Sequence, residues 1–227
     1  MKKALVEFIG TFFLVSTVGN TVLNPGGAGN LAPIAIGVIL MTMIFAGGHI
    51  SGGHYNPAVT LAVLIRGKCP LSDAISYWIA QFLAALAAAA IVIYLKGSPQ
   101  LPPPGEFRIG PALLAEFLGT FALCFVVLNV ATAKGTEGNS FYGLAIGFTV
   151  LAQAYAVGAI SGGAFNCAVA LGITTWGLVS WGNFVLYLIA ELVGAVVSAA
   201  VFLYVNPEIS MGPLETPPGP EKAAPLA

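Results

Sequence analysis

Ile50-Ser51-Gly52-Gly53-His54-Tyr55-Asn56-Pro57-Ala58-Val59-Thr60-Leu61 recurs 110 residues later as Ile160-Ser161-Gly162-Gly163-Ala164-Phe165-Asn166-Cys167-Ala168-Val169-Ala170-Leu171, with eight of the twelve positions identical. A second pair, Glu7-Phe8-Ile9-Gly10-Thr11-Phe12 and Glu116-Phe117-Leu118-Gly119-Thr120-Phe121, stands at a shift of 109. Chance could supply one such match; two at nearly equal shift point to a duplication. The repeats cover about 4–95 and 111–205, in a single domain of residues 1–205. The remainder, 206–227, carries six prolines and reads as a Pro-rich tail.

Composition says where such a chain lives. Of 227 residues, 58% are hydrophobic and only 17 are Lys, Arg, Asp or Glu, and the mean hydropathy is +0.92. That is too few charges to coat a soluble globule, and the apolar content excludes a disordered chain. A net charge of −1 excludes a nucleic-acid binder built on a basic surface. The chain reads as an integral membrane protein with the lipid bilayer as its partner.

The placement of the charges divides the chain. None lies in 8–65 or in 138–190, and each gap is long enough for two crossings of about 20 residues. Shorter uncharged runs at 74–95, 117–133 and 192–205 add one crossing each. The expected spans are 5–23, 32–50, 74–95, 111–131, 140–159 and 182–204. Pro57 to Ile65 is apolar but too short to cross, so it reads as a re-entrant half-helix, and a similar piece follows Asn166. Lys2-Lys3 before an apolar run has the form of a signal peptide, but Glu7 and continuation to Leu23 favour a first span. With both termini on the cytoplasmic side of the cell membrane, Lys2, Lys3, Arg66, Lys68, Lys134 and Lys222 lie on that side, against Lys96 and Arg108 outside.

Three spans per repeat is an odd number, so the second copy enters the membrane from the opposite face. The fold class is therefore all-α, six transmembrane helices plus two re-entrant half-helices in an inverted repeat. The half-helices dip in from opposite sides and can meet near the midplane. Asn56 and Asn166 precede them as N-caps, and Pro57 suits the first helical position. Each half-helix start presents free N–H groups and a partial charge of about +0.5. Two such ends facing each other repel cations, while the Asn amides offer donors to a polar molecule. Unwound backbone at Gly52-Gly53 and Gly162-Gly163 would line the path with carbonyls. Donors at the centre and acceptors along the wall suit small neutral solutes.

These residues resemble the aquaporin/glycerol-facilitator (major intrinsic protein) family over about residues 4–205. Gly48-His49-Ile50-Ser51-Gly52-Gly53-His54-Tyr55-Asn56-Pro57-Ala58-Val59-Thr60 is similar to its first signature. The resemblance implies a homotetramer with a pore in each subunit, and no enzyme, cofactor or metal. The second half-helix start departs from the family's Asn-Pro-Ala-Arg, reading Asn166-Cys167-Ala168-Val169. Cys167 puts a thiol near the pore centre, either open to thiol reagents or packed between the half-helices. By the family's spacing the selectivity filter is Ile36, Ala154, Gly163 and Val169, without the usual arginine. That set implies a wider, more apolar constriction than in water-selective members.

The carboxylates Glu7, Glu116 and Glu191 lie in spans, with Gln81 at Glu191's repeat position. Intramembrane carboxylates are candidates for proton transfer, but the resemblance favours loop support by all four side chains. Gly10-Thr11 and Gly119-Thr120 suit close helix packing. His54 is expected at the inner pore mouth and His49 as a packed neighbour, without the further ligands a metal needs. Cys69, Cys124 and Cys167 are odd in number and need not pair; Cys124 reads as packing in a span. Two other functions compete with the passive channel. One is a proton-coupled transporter using Glu7, Glu116 or Glu191; the other is a non-conducting scaffold permitted by Cys167 and Val169.

Overall fold

The computed structural model describes residues 1–99 and 108–207. All of the expected tail beyond Pro207 lies outside the described residues. Among the described residues eight α-helices follow one another: α1 (Lys2–Val22), α2 (Ala32–Ser51), α3 (Pro57–Ile65), α4 (Leu71–Lys96), α5 (Ile109–Thr132), α6 (Tyr142–Ser161), α7 (Cys167–Thr175) and α8 (Trp181–Val205). Six are long and apolar enough to cross a bilayer. The nine-residue α3 and α7 are the half-helices.

The helix ends follow local chemistry. Asn56 sits in extended backbone and its side chain accepts from Ala58 N, with Pro57 at the first helical position. Asn166 does the same for Ala168 N and Val169 N. α2 and α6 each end on a left-handed glycine, Gly52 and Gly162, both at φ 94°. α4 starts at Leu71, three residues before the expected 74, because Pro70 ends the preceding turn and Asp73 is tolerated in the first turn. α1 likewise takes in Lys2 and Lys3, which can extend along the helix toward water.

Within each repeat the first and third spans pack together, α1 on α4 and α5 on α8. Each half-helix crosses to the other repeat, α3 against α8 and α7 against α4. Across the centre, α2 meets α6 at Gly37 and Gly147. A Cβ on Gly147 would stand 2.5 Å from Gly37 O, and one on Gly37 2.8 Å from Gly147 O, so only glycine permits this approach. The outer faces carry exposed Leu, Ile, Val and Phe, which lipid covers.

The cations sort by end. Lys3 pairs with Asp73 at 2.7 Å and shares a cavity with Lys68, while Arg66 reaches Thr132 O at 3.3 Å. At the other end Lys96 Nζ donates to Asn20 O at 2.8 Å and to Leu23 O, carbonyls at the end of α1.

Candidate functional site

The two half-helix starts meet at the centre of the bundle. Asn56 Nδ2 donates to Phe165 O, and Asn166 Nδ2 donates to Tyr55 O, both at 2.9 Å. Each Asn oxygen caps its own half-helix at 2.8–2.9 Å. A carboxamide has two N–H bonds. One per Asn is used in these contacts, which leaves the other available to a passing molecule.

A cavity of about 190 Å³ adjoins both asparagines and runs toward the α1 end at Val22. It brings together Ile36, Ala154, Gly163 and Val169, the four residues expected to form the filter. Among the described residues lining it, the polar side chains are His54, Asn56 and Asn166, and none carries a fixed charge. A second cavity, about 290 Å³, opens toward Lys3 and Lys68. His54 and Val127 line both cavities and mark their junction. His54 thus sits where the two cavities join, its Nδ1 3.1 Å from Thr60 Oγ1. His49, expected to be packed, is exposed and lines the second cavity, because the last turn of α2 faces that opening.

Cys167 does not line either cavity. It is buried at 1% exposure and its thiol lies against Glu191, since this side of the first α7 turn faces α8. Of the two readings open in the sequence, a thiol accessible to reagents and a packed one, this burial favours the packed one.

The span carboxylates anchor the loops. Glu7 Oε1 accepts from Ser51 Oγ at 2.7 Å and His54 N at 2.9 Å; its Oε2 accepts from Tyr55 N at 2.7 Å and Gln81 Nε2 at 2.9 Å. Glu116 accepts from Ala164 N at 3.0 Å and Phe165 N at 2.6 Å. Glu191 accepts from Asn166 N at 3.2 Å. Gln81 differs: its amide donates to Glu7 and to Thr60 Oγ1, and so acts on the loop through Glu7. All four side chains are fully buried and none lines either cavity.

Several partners escaped sequence reasoning. Tyr55 and Phe165 take left-handed backbone, φ 48° and 49°, so that their rings cover Gly10 and Gly119. A Cβ on either glycine would lie 2.2 Å from the ring. These glycines therefore admit loop aromatics, where close packing between helices was expected. Tyr77 and Tyr187 donate to Ser51 O at 2.7 Å and Ser161 O at 2.5 Å, tying the ends of α2 and α6. The repeat of Tyr77-x-Ile79-Ala80-Gln81 as Tyr187-x-Ile189-Ala190-Glu191 was the available signal.

Comparison with known proteins agrees with this geometry. The family model described as "Major intrinsic protein" matches residues 1–204. Glycerol uptake facilitator protein-like 6 of Lactiplantibacillus plantarum is 36% identical over 88% of this chain and 95% of its own length. Aquaporin NIP1-4 of Oryza sativa is also 36% identical, over 76% of this chain, which spans 65% of that protein. The solved aquaglyceroporin from Plasmodium falciparum superposes with a TM-score of 0.75 over 93% of this chain and 99% of that one. At 22% identity that likeness speaks for the fold alone. The chain belongs to the major intrinsic protein family of aquaporins and glycerol facilitators, and is a multi-pass membrane channel for small solutes, not an enzyme.

Proposed function

We propose that this protein is a passive channel for small uncharged solutes, water and/or glycerol-, urea-, ammonia- or metalloid-acid-like molecules. The observation that carries this reading is the 190 Å³ cavity, whose polar side chains are two capping asparagines and one histidine. A neutral solute gains amide donors at the centre without meeting a fixed charge. A cation meets the positive ends of α3 and α7, with no nearby carboxylate among the lining residues to offset them.

Ile36, Ala154, Gly163 and Val169 form the constriction in this reading. Ala154 and Gly163 leave room, and Ile36 and Val169 supply no donor. A solute with some apolar surface is then penalised less than in a filter that must be hydrogen-bonded. The names of the relatives, aquaporin and glycerol uptake facilitator, support both water and glycerol as candidates. Glu7, Glu116, Gln81 and Glu191 serve the loops, because their bonds go to backbone and to one another, away from the cavities. The termini face the cytoplasm, where Lys2, Lys3, Arg66 and Lys68 satisfy the positive-inside bias. The exposed apolar faces suit lipid and a homotetramer.

Stopped-flow light scattering on proteoliposomes tests the proposal. Water and glycerol flux should exceed that of protein-free liposomes; equality with protein-free liposomes for every solute would overturn it.

A further inference from the structure

The two repeats differ at one buried pair. In repeat one Glu7 meets Gln81, whose amide N–H bridges to the carboxylate at 2.9 Å. In repeat two the equivalent residues are Glu116 and Glu191, so an acceptor replaces the donor. Glu116 takes the N–H groups of Ala164 and Phe165, and Glu191 takes that of Asn166. Three consecutive backbone N–H groups hold the two carboxyls side by side, within hydrogen-bonding reach of each other.

Both carboxyls are 0% exposed. Glu191 Oε2 is buried and has no hydrogen-bonding partner if the group is ionised. Among the described residues, the other groups facing the pair are the Cys167 thiol from α7, the Cys124 thiol from α5, the Ser161 hydroxyl from the end of α6, and Tyr187 on α8. Tyr187 gives its O–H to Ser161 O. No Lys, Arg or His is among them. Ionised carboxylates only accept hydrogen bonds, and two of them in contact away from water do not both keep their charge.

We propose that Glu116 and Glu191 together bind one proton, forming a carboxylic acid–carboxylate pair directly behind the pore-centre residue Asn166. The proton sits on Glu191 Oε2 and the O–H donates to Glu116. It occupies the place that the Gln81 amide N–H fills in repeat one. The pair titrates as a unit, and Asn166 N is bonded to one of its members at 3.2 Å. Repeat one, with its amide, has no such site.

Infrared spectroscopy of the whole protein in lipid tests this independently of whether any solute permeates. The wild type should show, at neutral pH, the C=O stretch of a protonated carboxylic acid that shifts in D2O and disappears on alkaline titration. Glu191→Gln should lose that band completely, because the amide restores the donor as Gln81 does. Absence of the band in the wild type overturns the proposal, as does a band of undiminished size in Glu191→Gln. If that variant does not fold, the wild-type band and its alkaline loss decide the matter.

Discussion

Glu7→Gln should be costly, although it changes one atom. Glu7 receives four donors, two at each oxygen. A glutamine keeps one oxygen and turns an NH2 group toward two former donors. The gentlest arrangement places that NH2 beside Ser51, whose hydroxyl can rotate and accept. His54 N–H is then left buried without a partner, at about 1–3 kcal/mol. The bonds that persist lose their ionic acceptor. Hydrogen bonds to charged groups contribute about 1.5–3 kcal/mol and neutral ones about 1, so two surviving bonds lose roughly 1–4 kcal/mol more. Together the losses span about 2–7 kcal/mol, with a middle value of about 4 kcal/mol. At about 2–4 °C per kcal/mol for a chain of this size, melting should fall by roughly 10 °C. Tryptophan fluorescence of purified protein in detergent, heated in parallel with wild type, measures it. A Glu7→Gln melting curve that overlays the wild type would refute the reasoning. Glu191→Gln supplies the contrast: the same chemical change there should leave melting near the wild-type value.

Other substitutions test other contacts. Gly119→Ala puts a Cβ 2.2 Å from the Phe165 ring and should destabilise by about 1–3 kcal/mol; wild-type melting in detergent would contradict that packing. Asn56→Ala removes the cap of α3 and the bond to Phe165 O. It should cost about 0.5–2 kcal/mol for the cap alone and lower flux per folded molecule in stopped flow; unchanged flux would count against Asn56 as a pore contact. Val169→Arg should fill part of the constriction and reduce glycerol flux relative to water, so an unchanged ratio would place Val169 outside the narrow segment. A charged methanethiosulfonate should neither label Cys167 nor slow permeation in folded protein, since that thiol is buried at 1% and lines neither cavity. Rapid labelling, read by mass spectrometry, would contradict its placement.

How far the sequence was legible depended on whether a residue's role is local. The bounds of α3, Pro57–Ile65, are those expected, because Asn56, Pro57 and Arg66 mark both ends chemically. The inverted topology followed from an odd number of spans per repeat. The starts of α1 and α4 fell three residues early, at Lys2 and Leu71, since a charge near the water interface need not end a helix. Directions of side chains were not local. Whether Cys167 faces the pore or α8 depends on how a nine-residue helix is rotated by its neighbours, and no periodic pattern fits in so short a run. The left-handed Tyr55 and Phe165 are not glycines, so nothing in their residue type announced that backbone; the glycines they cover, Gly10 and Gly119, lie 45 and 46 residues away in sequence. Gln81 and Glu191 were paired by the repeat, but their opposite hydrogen-bonding roles emerged only with Glu7 and Glu116 in place.

The most direct test is a permeability panel on purified wild-type protein in liposomes, with water, glycerol and urea followed by stopped-flow scattering and protons by an entrapped pH dye. The proposed channel, with an apolar, uncharged filter and two positive half-helix ends at its centre, predicts water and glycerol flux above protein-free liposomes with no proton leak. Flux equal to that of empty liposomes, or a proton leak accompanying the solute, would contradict it.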